Sequence, residues 1–283
     1  MRFLITGASG MLGRDLQTVL AGRDVTALSR ADLDITDHSA VLAAVDGHDV
    51  VINAAAYTRV DEAETNEPAA AMVNAVGAGH LGKATAEVGA LLMQLSTDYV
   101  FDGRATSPYD EDAPTHPTSA YGRTKADGER RALDANPDGT FVVRTAWLYG
   151  EHGGNFAKTM LALGGARPEV SVVTDQVGQP TWTMDLARQI VTLVDSDAPA
   201  GIYHGTASGQ ASWFEFAQLV FELGGLDPAT VKPTDAASFV RPAPRPAYSV
   251  LGHDAWGEAG LSPMRDWREA LREAFDTGAL RTP

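Results

Sequence analysis

The 283-residue sequence predicts an α/β fold in which a doubly wound parallel sheet is joined to a smaller α/β lobe. Two observations predict this class. Short apolar runs alternate with stretches of helical spacing through the first half of the chain. The runs are continuously apolar, which is typical of strands that are buried on both faces of a parallel sheet. Right-handed crossovers then place helices on both faces of the sheet.

The first half of the chain, residues 1–150, is expected to alternate strands with helices from its first residues. The predicted strands are RFLIT, DVTALS, DVVINAAA, ALLMQLS and TFVVRTAWLY. The predicted helices cover Met11–Leu20, Ala40–Val45, Ala69–Val88 and Ser119–Leu133. Ligands of such folds bind at the carboxyl ends of the strands, beside the point where the strand order reverses.

The pattern is less regular in residues 151–283, which we expect to form mainly the smaller lobe. Its expected helices are Asn155–Leu163, Thr183–Val194, Trp213–Leu223 and Arg265–Phe275, and its expected strands are Val170–Val173 and Ile202–His204. Segments around 175–204 are expected to return to the central sheet. The proline-rich stretch RPAPRPAYS (241–249) predicts an ordered, extended segment.

The composition argues against several classes of function. A formal net charge of −15 is unfavourable for non-specific binding of nucleic acid, which needs clustered lysine and arginine. The absence of cysteine excludes disulfides, thiolate metal sites and thiol catalysis. No run of about 18 apolar residues indicates a membrane span, and the N-terminus lacks the features of a secretory signal. We therefore expect a cytoplasmic protein.

No metal site is predicted. The seven histidines are scattered without the spacing of metal ligands, so we expect no catalytic metal. In the segment YTRVDEAE, the carboxylates of Asp61, Glu62 and Glu64 have helical spacing. We expect them to form a solvated first helical turn, where acids interact favourably with the helix dipole.

The segment TGASGMLG places three glycines between the first strand and the first helix. Gly7 permits a tight turn, Gly10 lets the backbone approach a pyrophosphate, and Gly13 lets the helix pack closely on the strand. The N-terminus of that helix then faces the anion. The pattern predicts a Rossmann-like NAD(P)-binding domain in residues 1–150.

The segment ALSRADLD lies at the end of the second strand, where the 2′ position of the cofactor's ribose is recognised. An NAD-selective site usually has an acid in this turn, whereas this chain has Ser29 and Arg30. The charge and bidentate geometry of arginine suit a 2′-phosphate. We therefore favour NADPH as the cofactor, with use of NADH left open.

The segment YGRTK places Tyr121 and Lys125 one turn apart on one face of a predicted helix. A phenol with an ordinary pKa of about 10 is a weak acid–base group at neutral pH. We expect the lysine cation to lower the pKa of Tyr121, which would suit proton transfer to or from a carbonyl or hydroxyl. The strand end STDYVFDG (96–103) adds hydroxyl and carboxyl groups at the edge where ligands bind.

In these features the chain resembles the extended short-chain dehydrogenase/reductase superfamily. The resemblance implies that Tyr121 donates or accepts a proton. It implies that Lys125 lowers the pKa of Tyr121 and binds the nicotinamide ribose. It also implies that the hydroxyl of Thr97 hydrogen-bonds the reacting oxygen, and that residues 151–283 form mainly a substrate-binding lobe.

Further motifs narrow the resemblance to the dTDP-4-dehydrorhamnose reductase family. They recur in order along nearly the whole chain: NAAAYTRVDEAE (53–64), STDYVFDG, YGRTKADGE, RTAWLYGEHGGNF (144–156), DQVGQPT (175–181) and RPAYSVL (245–251). That family uses NAD(P)H to reduce the 4-keto group of dTDP-4-dehydro-β-L-rhamnose, the last step to dTDP-L-rhamnose. The resemblance implies a dTDP-sugar substrate and a monomer or homodimer. Some members carry Mg²⁺ at a dimer contact built from glutamates, and those positions find no match here.

The family pattern also assigns residues to the two ligands. Those expected to contact the cofactor are Gly7, Gly10, Met11, Leu12, Gly13, Arg30, Asp34, Ile35, Ala56, Tyr57, Thr58, Tyr121 and Lys125. Those expected to contact the sugar nucleotide are Thr97, Asp98, Trp147, Asn155, Gln176 and Arg245. By residue type alone, Trp147 fits a core position equally well.

The motifs also bear on other functions within and outside the superfamily. Sugar-nucleotide 4,6-dehydratases have STDE at this strand end, and here Tyr99 stands in place of the second acid, so the base that removes the C5 proton is missing. A 4-epimerase fits the motif set poorly. Two alternatives stay open: a related dTDP-4-keto-6-deoxyhexose reductase of different stereochemistry, and a non-catalytic NADP-binding regulatory subunit.

Overall fold

Residues 1–280 are described by the computed structural model. The strands are β1 (Arg2–Thr6), β2 (Asp24–Leu28), β3 (Val50–Asn53), β4 (Leu91–Thr97), β5 (Thr140–Thr145), β6 (Leu148–Tyr149), β7 (Val170–Val173), β8 (Val177–Gly178), β9 (Thr181–Trp182), β10 (Gly201–His204), β11 (Ala207–Ser208), β12 (Ala211–Ser212), β13 (Val231–Thr234) and β14 (Met264–Asp266). The helices are α1 (Met11–Val19), α2 (His38–Val45), α3 (Val60–Ala63), α4 (Glu67–Ala71), α5 (Ala78–Val88), α6 (Ala120–Ala135), α7 (Phe156–Ala166), α8 (Thr183–Val194), α9 (Trp213–Leu223), α10 (Asp254–Glu258) and α11 (Trp267–Asp276).

The central sheet has the strand order β2-β1-β3-β4-β5-β10, and every neighbouring pair is parallel. The chain builds outward from β1 to β2, then crosses back to place β3 on the other side of β1. The strand order therefore reverses between β1 and β3, which is where ligands of such sheets bind. The predicted doubly wound parallel fold is confirmed.

Helices cover both faces of the sheet, as continuous apolar strands require. On one face, Leu16 of α1 and Ile190 of α8 belong to one buried cluster. On the other face, Val41 of α2, Leu81 of α5 and Ala132 of α6 belong to a second. Both faces of the sheet are therefore covered by apolar side chains. The polar groups that can meet a ligand lie at the strand ends.

Helices α7, α9 and α11 surround a third buried cluster, which includes Phe216 and Phe221 of α9 and Trp267 of α11. Short strand pairs border it, with β7 parallel to β13 and β6 parallel to β9. The chain returns to the central sheet through β10, which pairs with β5. These connections bring the second half of the chain against the carboxyl ends of β4 and β5.

Three predicted elements differ in extent from those observed. TFVVRTAWLY is not one strand, because the backbone of Trp147 has a positive φ of 47° that separates β5 from β6. The expected helix Ala69–Val88 contains a π-helical turn, Met72–Gly77, between α4 and α5. The strand DVVINAAA ends at Asn53, and the following alanines leave the sheet. All three departures lie beside the cleft described below.

Membrane-spanning helices and metal-binding clusters are both absent from residues 1–280. None of the helices there is both long and apolar enough to cross a membrane. No cluster of three or more histidine, aspartate or glutamate side chains could hold a metal ion in that part of the chain.

Candidate active site

A cleft of about 1530 Å³ lies at the carboxyl ends of β1, β3, β4 and β5. Its wall contains eighteen of the residues that the sequence assigned to a ligand: Gly7, Gly10, Met11, Leu12, Gly13, Arg30, Asp34, Ile35, Ala56, Tyr57, Thr58, Thr97, Asp98, Tyr121, Lys125, Trp147, Gln176 and Arg245. The remaining one, Asn155, does not line the cleft. Its side-chain oxygen accepts from the backbone N–H of Lys158 and caps α7, while its Nδ2 donates to the carbonyl of Gly150.

The glycine loop is closely packed under the cleft. Gly7 has φ +69°, and a Cβ added there would lie 2.6 Å from the backbone nitrogen of Ala55. A Cβ on Gly13 would lie 2.4 Å from the carbonyl oxygen of Gly7. Gly10 precedes α1 without a side-chain cap, so the first N–H groups of α1 are left for a ligand. The loop and helix end together form a cradle of the kind that binds pyrophosphate.

The turn after β2 places Arg30 at one end of the cleft. Asp32 stabilises the turn, because its carboxylate accepts from the backbone N–H of Ser29 at 2.9 Å and from its hydroxyl at 2.6 Å. Asp34 accepts from the backbone N–H and hydroxyl of Thr36, and these hydrogen bonds lower the pKa of Asp34. The side chain of Arg30 is exposed and lines the cleft.

Asn74 is a buried residue of the site that the sequence reasoning missed. Its Oδ1 accepts from the backbone N–H of Tyr57 at 2.8 Å, and its Nδ2 donates to the carbonyl of Tyr57 and to the hydroxyl of Thr124. It lies in the π-helical turn and joins the loop after β3 to helix α6. An asparagine inside the apolar run AMVNAVG was the available signal, since a buried amide needs partners.

The segment after β4 brings a hydroxyl and a carboxyl to the cleft. The hydroxyl of Thr97 donates to Oδ1 of Asp98 at 2.9 Å and accepts from the backbone N–H of Tyr99 at 3.3 Å. Asp98 is only 2% exposed. Burial raises the pKa of Asp98 to about 6, although the hydroxyls of Ser249 and Thr97 oppose the rise. Its carboxyl can therefore be charged or neutral close to physiological pH.

Helix α6 carries Tyr121 and Lys125 into the same cleft. Burial raises the pKa of Tyr121 to about 12, while the neighbouring hydroxyl of Thr97 opposes this. The ammonium of Lys125 donates to the carbonyl of Leu95 at 2.5 Å, and burial lowers the pKa of Lys125 to about 8. The expected lowering of the pKa of Tyr121 is not observed, because burial outweighs the other influences on the phenol.

The acidic segment after β3 is more than a solvated turn, contrary to the expectation. Glu64 accepts from the backbone N–H of Ala120 at 2.8 Å, at the start of the helix that carries Tyr121. Asp61 accepts from the guanidinium of Arg245 at 2.9 Å. Only Glu62, which pairs with Arg59 on the surface, has the expected solvated position. The first two acids fix elements that line the cleft.

Two tyrosine rings pack together on the wall of the cleft. The rings of Tyr99 and Tyr121 meet edge to face, with centroids 5.7 Å apart and planes at 75°. The guanidinium carbon of Arg245 lies 5.8 Å from the centroid of Tyr99. Burial raises the pKa of Tyr99 well above its ordinary value, so this phenol stays protonated. Tyr99 therefore packs against Tyr121 and supplies no base.

Aromatic side chains form the opposite wall of the cleft. The ring of Trp147 stacks on that of Trp213 at 3.5 Å between centroids, and the ring of Phe156 lies 4.4 Å from that of Trp213. A Cβ on Gly178 would lie 2.6 Å from the ring of Trp147. The positive φ of Trp147 marks a backbone strain of the kind found at ligand sites. Trp213 was missed because SWFEF (212–216) has the pattern of a core helix, and Phe156 was missed although it ends the motif RTAWLYGEHGGNF.

Replacing Asp98 with asparagine should raise the free energy of unfolding more at pH 7 than at pH 4. Burial raises the pKa of Asp98 from 3.8 to about 6, so the folded protein keeps a proton that the unfolded chain releases between pH 4 and 6. The free energy of unfolding of the unmodified protein therefore falls as the pH rises through that window. The asparagine variant has no carboxyl at this position, so its free energy of unfolding has no such decrease. Urea denaturation should show the difference growing by about 2 kcal/mol between pH 4 and pH 7. A difference independent of pH would contradict a raised pKa.

Known proteins are similar to this chain along nearly its whole length. The family model described as RmlD substrate binding domain matches residues 1–279. A dTDP-4-dehydrorhamnose reductase from Streptomyces griseus is 53% identical, covering 97% of this chain and 93% of the relative. A probable dTDP-4,6-dihydroxy-2-methyloxan-3-one 4-ketoreductase from Streptomyces antibioticus is 54% identical, covering 97% and 95%. The crystal structure of a dTDP-4-dehydrorhamnose reductase from Bacillus anthracis in complex with NADP superposes with a TM-score of 0.94 at 39% identity, covering 98% and 99%.

Proposed function

The chain belongs to the family described as RmlD substrate binding domain, and we propose that it reduces the 4-keto group of dTDP-4-dehydro-β-L-rhamnose with NADPH to give dTDP-L-rhamnose. One observation carries the proposal: Thr97, Tyr121 and Lys125 lie on the wall of one cleft together with the glycine loop. A hydroxyl, a proton donor and a buried amine beside a dinucleotide cradle are what carbonyl reduction requires.

The residues present fit a nicotinamide dinucleotide. Added Cβ atoms at Gly7 and Gly13 would collide with backbone atoms, so the cradle depends on glycine. We propose that Gly10, Met11 and Leu12 hold the pyrophosphate at the uncapped end of α1, with Arg30, Asp34 and Ile35 at the adenosine end. Ala56, Tyr57 and Thr58 would lie along the cofactor, and the backbone of Tyr57 is held by the side chain of Asn74.

The chemistry follows from the protonation states of this chain's own groups. When bound, NADPH supplies the hydride that reduces the keto carbon. Tyr121 is protonated at neutral pH, because burial raises its pKa to about 12, and it therefore has a proton to give to the sugar oxygen. The hydroxyl of Thr97 donates to Asp98 in the structure and would turn from it to hydrogen-bond the same oxygen. Lys125 carries its charge below its pKa of about 8 and would bind the nicotinamide ribose.

The sugar nucleotide is assigned to the side of the cleft formed by the second half of the chain. Residues 1–150 then form the cofactor-binding domain, and residues 151–283 mainly the substrate lobe, with β10 returning to the sheet. Asp98, Trp147, Gln176 and Arg245 are the proposed contacts, and the aromatic wall adds Trp213 and Phe156. Asn155 is left out, because it caps α7. We further propose that the protein is cytoplasmic and acts as a monomer or homodimer.

A second candidate function has a specific observation in its favour. Relatives named for reduction of different dTDP-keto sugars have nearly the same identity to this chain, at 53% and 54%. A related 4-keto reductase with a product of different stereochemistry is therefore the alternative. Elimination is disfavoured, because the position of a dehydratase's second acid holds Tyr99, whose phenol stays protonated.

The experiment that tests the proposed function measures NADPH oxidation at 340 nm with dTDP-4-dehydro-β-L-rhamnose made in situ by the upstream epimerase. We expect oxidation that requires both the sugar and the protein, and NMR identification of dTDP-L-rhamnose as the product. A different epimer at C4 would favour the alternative reductase. NADPH binding without oxidation would indicate a regulatory subunit instead of an enzyme.

Replacing Arg30 with alanine should weaken NADPH binding about tenfold and leave NADH binding nearly unchanged, because only NADPH carries the 2′-phosphate that arginine would pair with. Fluorescence titration of each cofactor gives the two dissociation constants. Arg130, an exposed arginine on α6 outside the cleft wall, provides the matched alanine control. Equal weakening of both cofactors by the Arg30 change would contradict a role in 2′-phosphate recognition.

A further inference from the structure

A buried ionic cluster lies behind the proposed catalytic residues and is not used by the chemistry above. We define the Glu129 cluster as Ser96, Glu129, Arg144 and His204. Nη2 of Arg144 donates to Oε2 of Glu129 at 2.9 Å, and Nε donates to Oε1 at 3.1 Å. The hydroxyl of Ser96 donates to the same carboxylate. Glu129 is 4% exposed and Arg144 2% exposed, so both charges are removed from water.

The cluster joins the three elements that carry the site. Ser96 precedes Thr97 on β4, Glu129 follows Lys125 by one turn on α6, and Arg144 is on β5, next to β4. A buried ion pair is seldom more stable than well-packed apolar residues of similar volume. Apolar side chains could therefore join β4, β5 and α6 equally well. The buried charges therefore indicate an electrostatic role in addition to packing.

The charge of Glu129 acts on Lys125. Side chains four residues apart on a helix face are neighbours, about 5–6 Å apart at Cβ. Burial favours the neutral form of Lys125, and the carboxylate of Glu129 favours the charged form. Lys125 shares the cleft wall with Tyr121, Thr97 and Asp98, and Glu129 pairs with Arg144 on β5.

His204 of β10 adds no charge to the cluster. Its Nδ1 lies 2.9 Å from the carbonyl of Gly252, and its Nε2 faces Arg144 at 3.5 Å. Burial and the neighbouring guanidinium lower the pKa of His204 to about 3, so the ring is neutral. Arg144 is also held from the other side, where it donates to the carbonyl of Glu111. The carboxylate of Glu129 is thus fixed in place with one positive partner.

We propose that Glu129 is a positioning residue for the reaction: its buried carboxylate, fixed by Ser96 and Arg144, keeps Lys125 charged while its ammonium is held at the carbonyl of Leu95. The consequence for catalysis rests on the proposed function, in which Lys125 acts as an ammonium. The effect on the charge of Lys125 is independent of that function.

The titration of Lys125 tests the proposal directly. The chain has four lysines, Lys83, Lys125, Lys158 and Lys232, so ¹³Cε-labelled lysine gives few NMR signals. The signal that is lost in Lys125→Arg belongs to Lys125. Glu129→Gln should lower the pKa of Lys125 by about 1, because it removes a nearby negative charge. Arg144→Met should raise that pKa, because it removes a nearby positive charge. A cluster that only packs would not shift the titration in opposite directions.

Controls separate charge from damage to the fold. Asp127→Asn makes the same acid-to-amide change on α6, where the carboxylate pairs with surface arginines, and it should leave the titration of Lys125 unchanged. Circular dichroism verifies that each variant is folded. If Arg144→Met does not fold, the double variant Glu129→Gln/Arg144→Met takes its place. That variant must show a higher pKa of Lys125 than Glu129→Gln alone.

The same variants then connect the charge to turnover. In the proposed reaction kcat/KM falls as Lys125 loses its proton, so Glu129→Gln should move the falling limb to lower pH by the shift measured by NMR. If the unmodified protein does not oxidise NADPH, the proposed function fails while the NMR titration still decides the charge effect. An unchanged titration of Lys125 in Glu129→Gln, or shifts of the same sign in both single variants, would overturn the proposal.

Discussion

Replacing Tyr121 with phenylalanine is expected to lower kcat by about 10²–10⁴-fold while NADPH binding and the melting temperature change little. The substitution removes only the hydroxyl that would supply the proton, and the ring can keep its edge-to-face contact with Tyr99 at 5.7 Å. Steady-state NADPH oxidation, cofactor titration and thermal denaturation measure the three quantities.

The control for this change is Tyr203→Phe. Tyr203 is buried, and its hydroxyl donates to the carbonyl of Pro199 at 2.8 Å, but it lies on β10 outside the cleft wall. It should lose a little stability and keep its turnover. Near-normal reduction by Tyr121→Phe would show that the proton comes from another group.

Replacing Gly13 with alanine is expected to destabilise the protein by about 1–3 kcal/mol and to weaken NADPH binding tenfold or more. The added Cβ would lie 2.4 Å from the carbonyl oxygen of Gly7 and 2.8 Å from Cα of Ala8. Both are backbone atoms, so α1 must move away from the turn, and the cradle opens. Chemical denaturation and fluorescence titration measure the two effects.

Gly10→Ala gives the comparison. A Cβ there would lie 3.2 Å from the same carbonyl oxygen, so the fold should change by less than about 1 kcal/mol. If Gly10 contacts the pyrophosphate, NADPH binding should still weaken, because the methyl group occupies space needed for close approach of the phosphate. NADPH binding as tight as in the unmodified protein would remove Gly10 from the cofactor site.

The fold and the presence of eighteen assigned residues on one cleft wall could be predicted because their signals are local. Continuous apolar strands, helical periodicity and the TGASGMLG turn each lie within a few residues of one another. Parallel topology then brings the strand ends to one edge, so Thr97 and the glycine loop share a cleft although they are far apart in sequence.

What could not be predicted depends on distant partners and on burial. Asp61 and Arg245 are 184 positions apart, and nothing near either residue marks them as a pair. Glu64 and Ala120 are 56 positions apart. The pKa of Tyr121 was expected to be lowered by Lys125, since spacing shows the neighbour but not the desolvation that outweighs it. The strained Trp147 and its stack on Trp213 likewise arise from tertiary packing.

The central claim is that this cleft transfers a hydride to the keto carbon of a dTDP-sugar. The most direct measurement supplies NADPH deuterated at C4 of the nicotinamide, with dTDP-4-dehydro-β-L-rhamnose, and locates the label by NMR. We predict deuterium bound to C4 of the sugar in dTDP-L-rhamnose, formed at the rate of NADPH oxidation and lost in Tyr121→Phe. Unoxidised NADPH, or deuterium at any other carbon of the sugar, would contradict the claim.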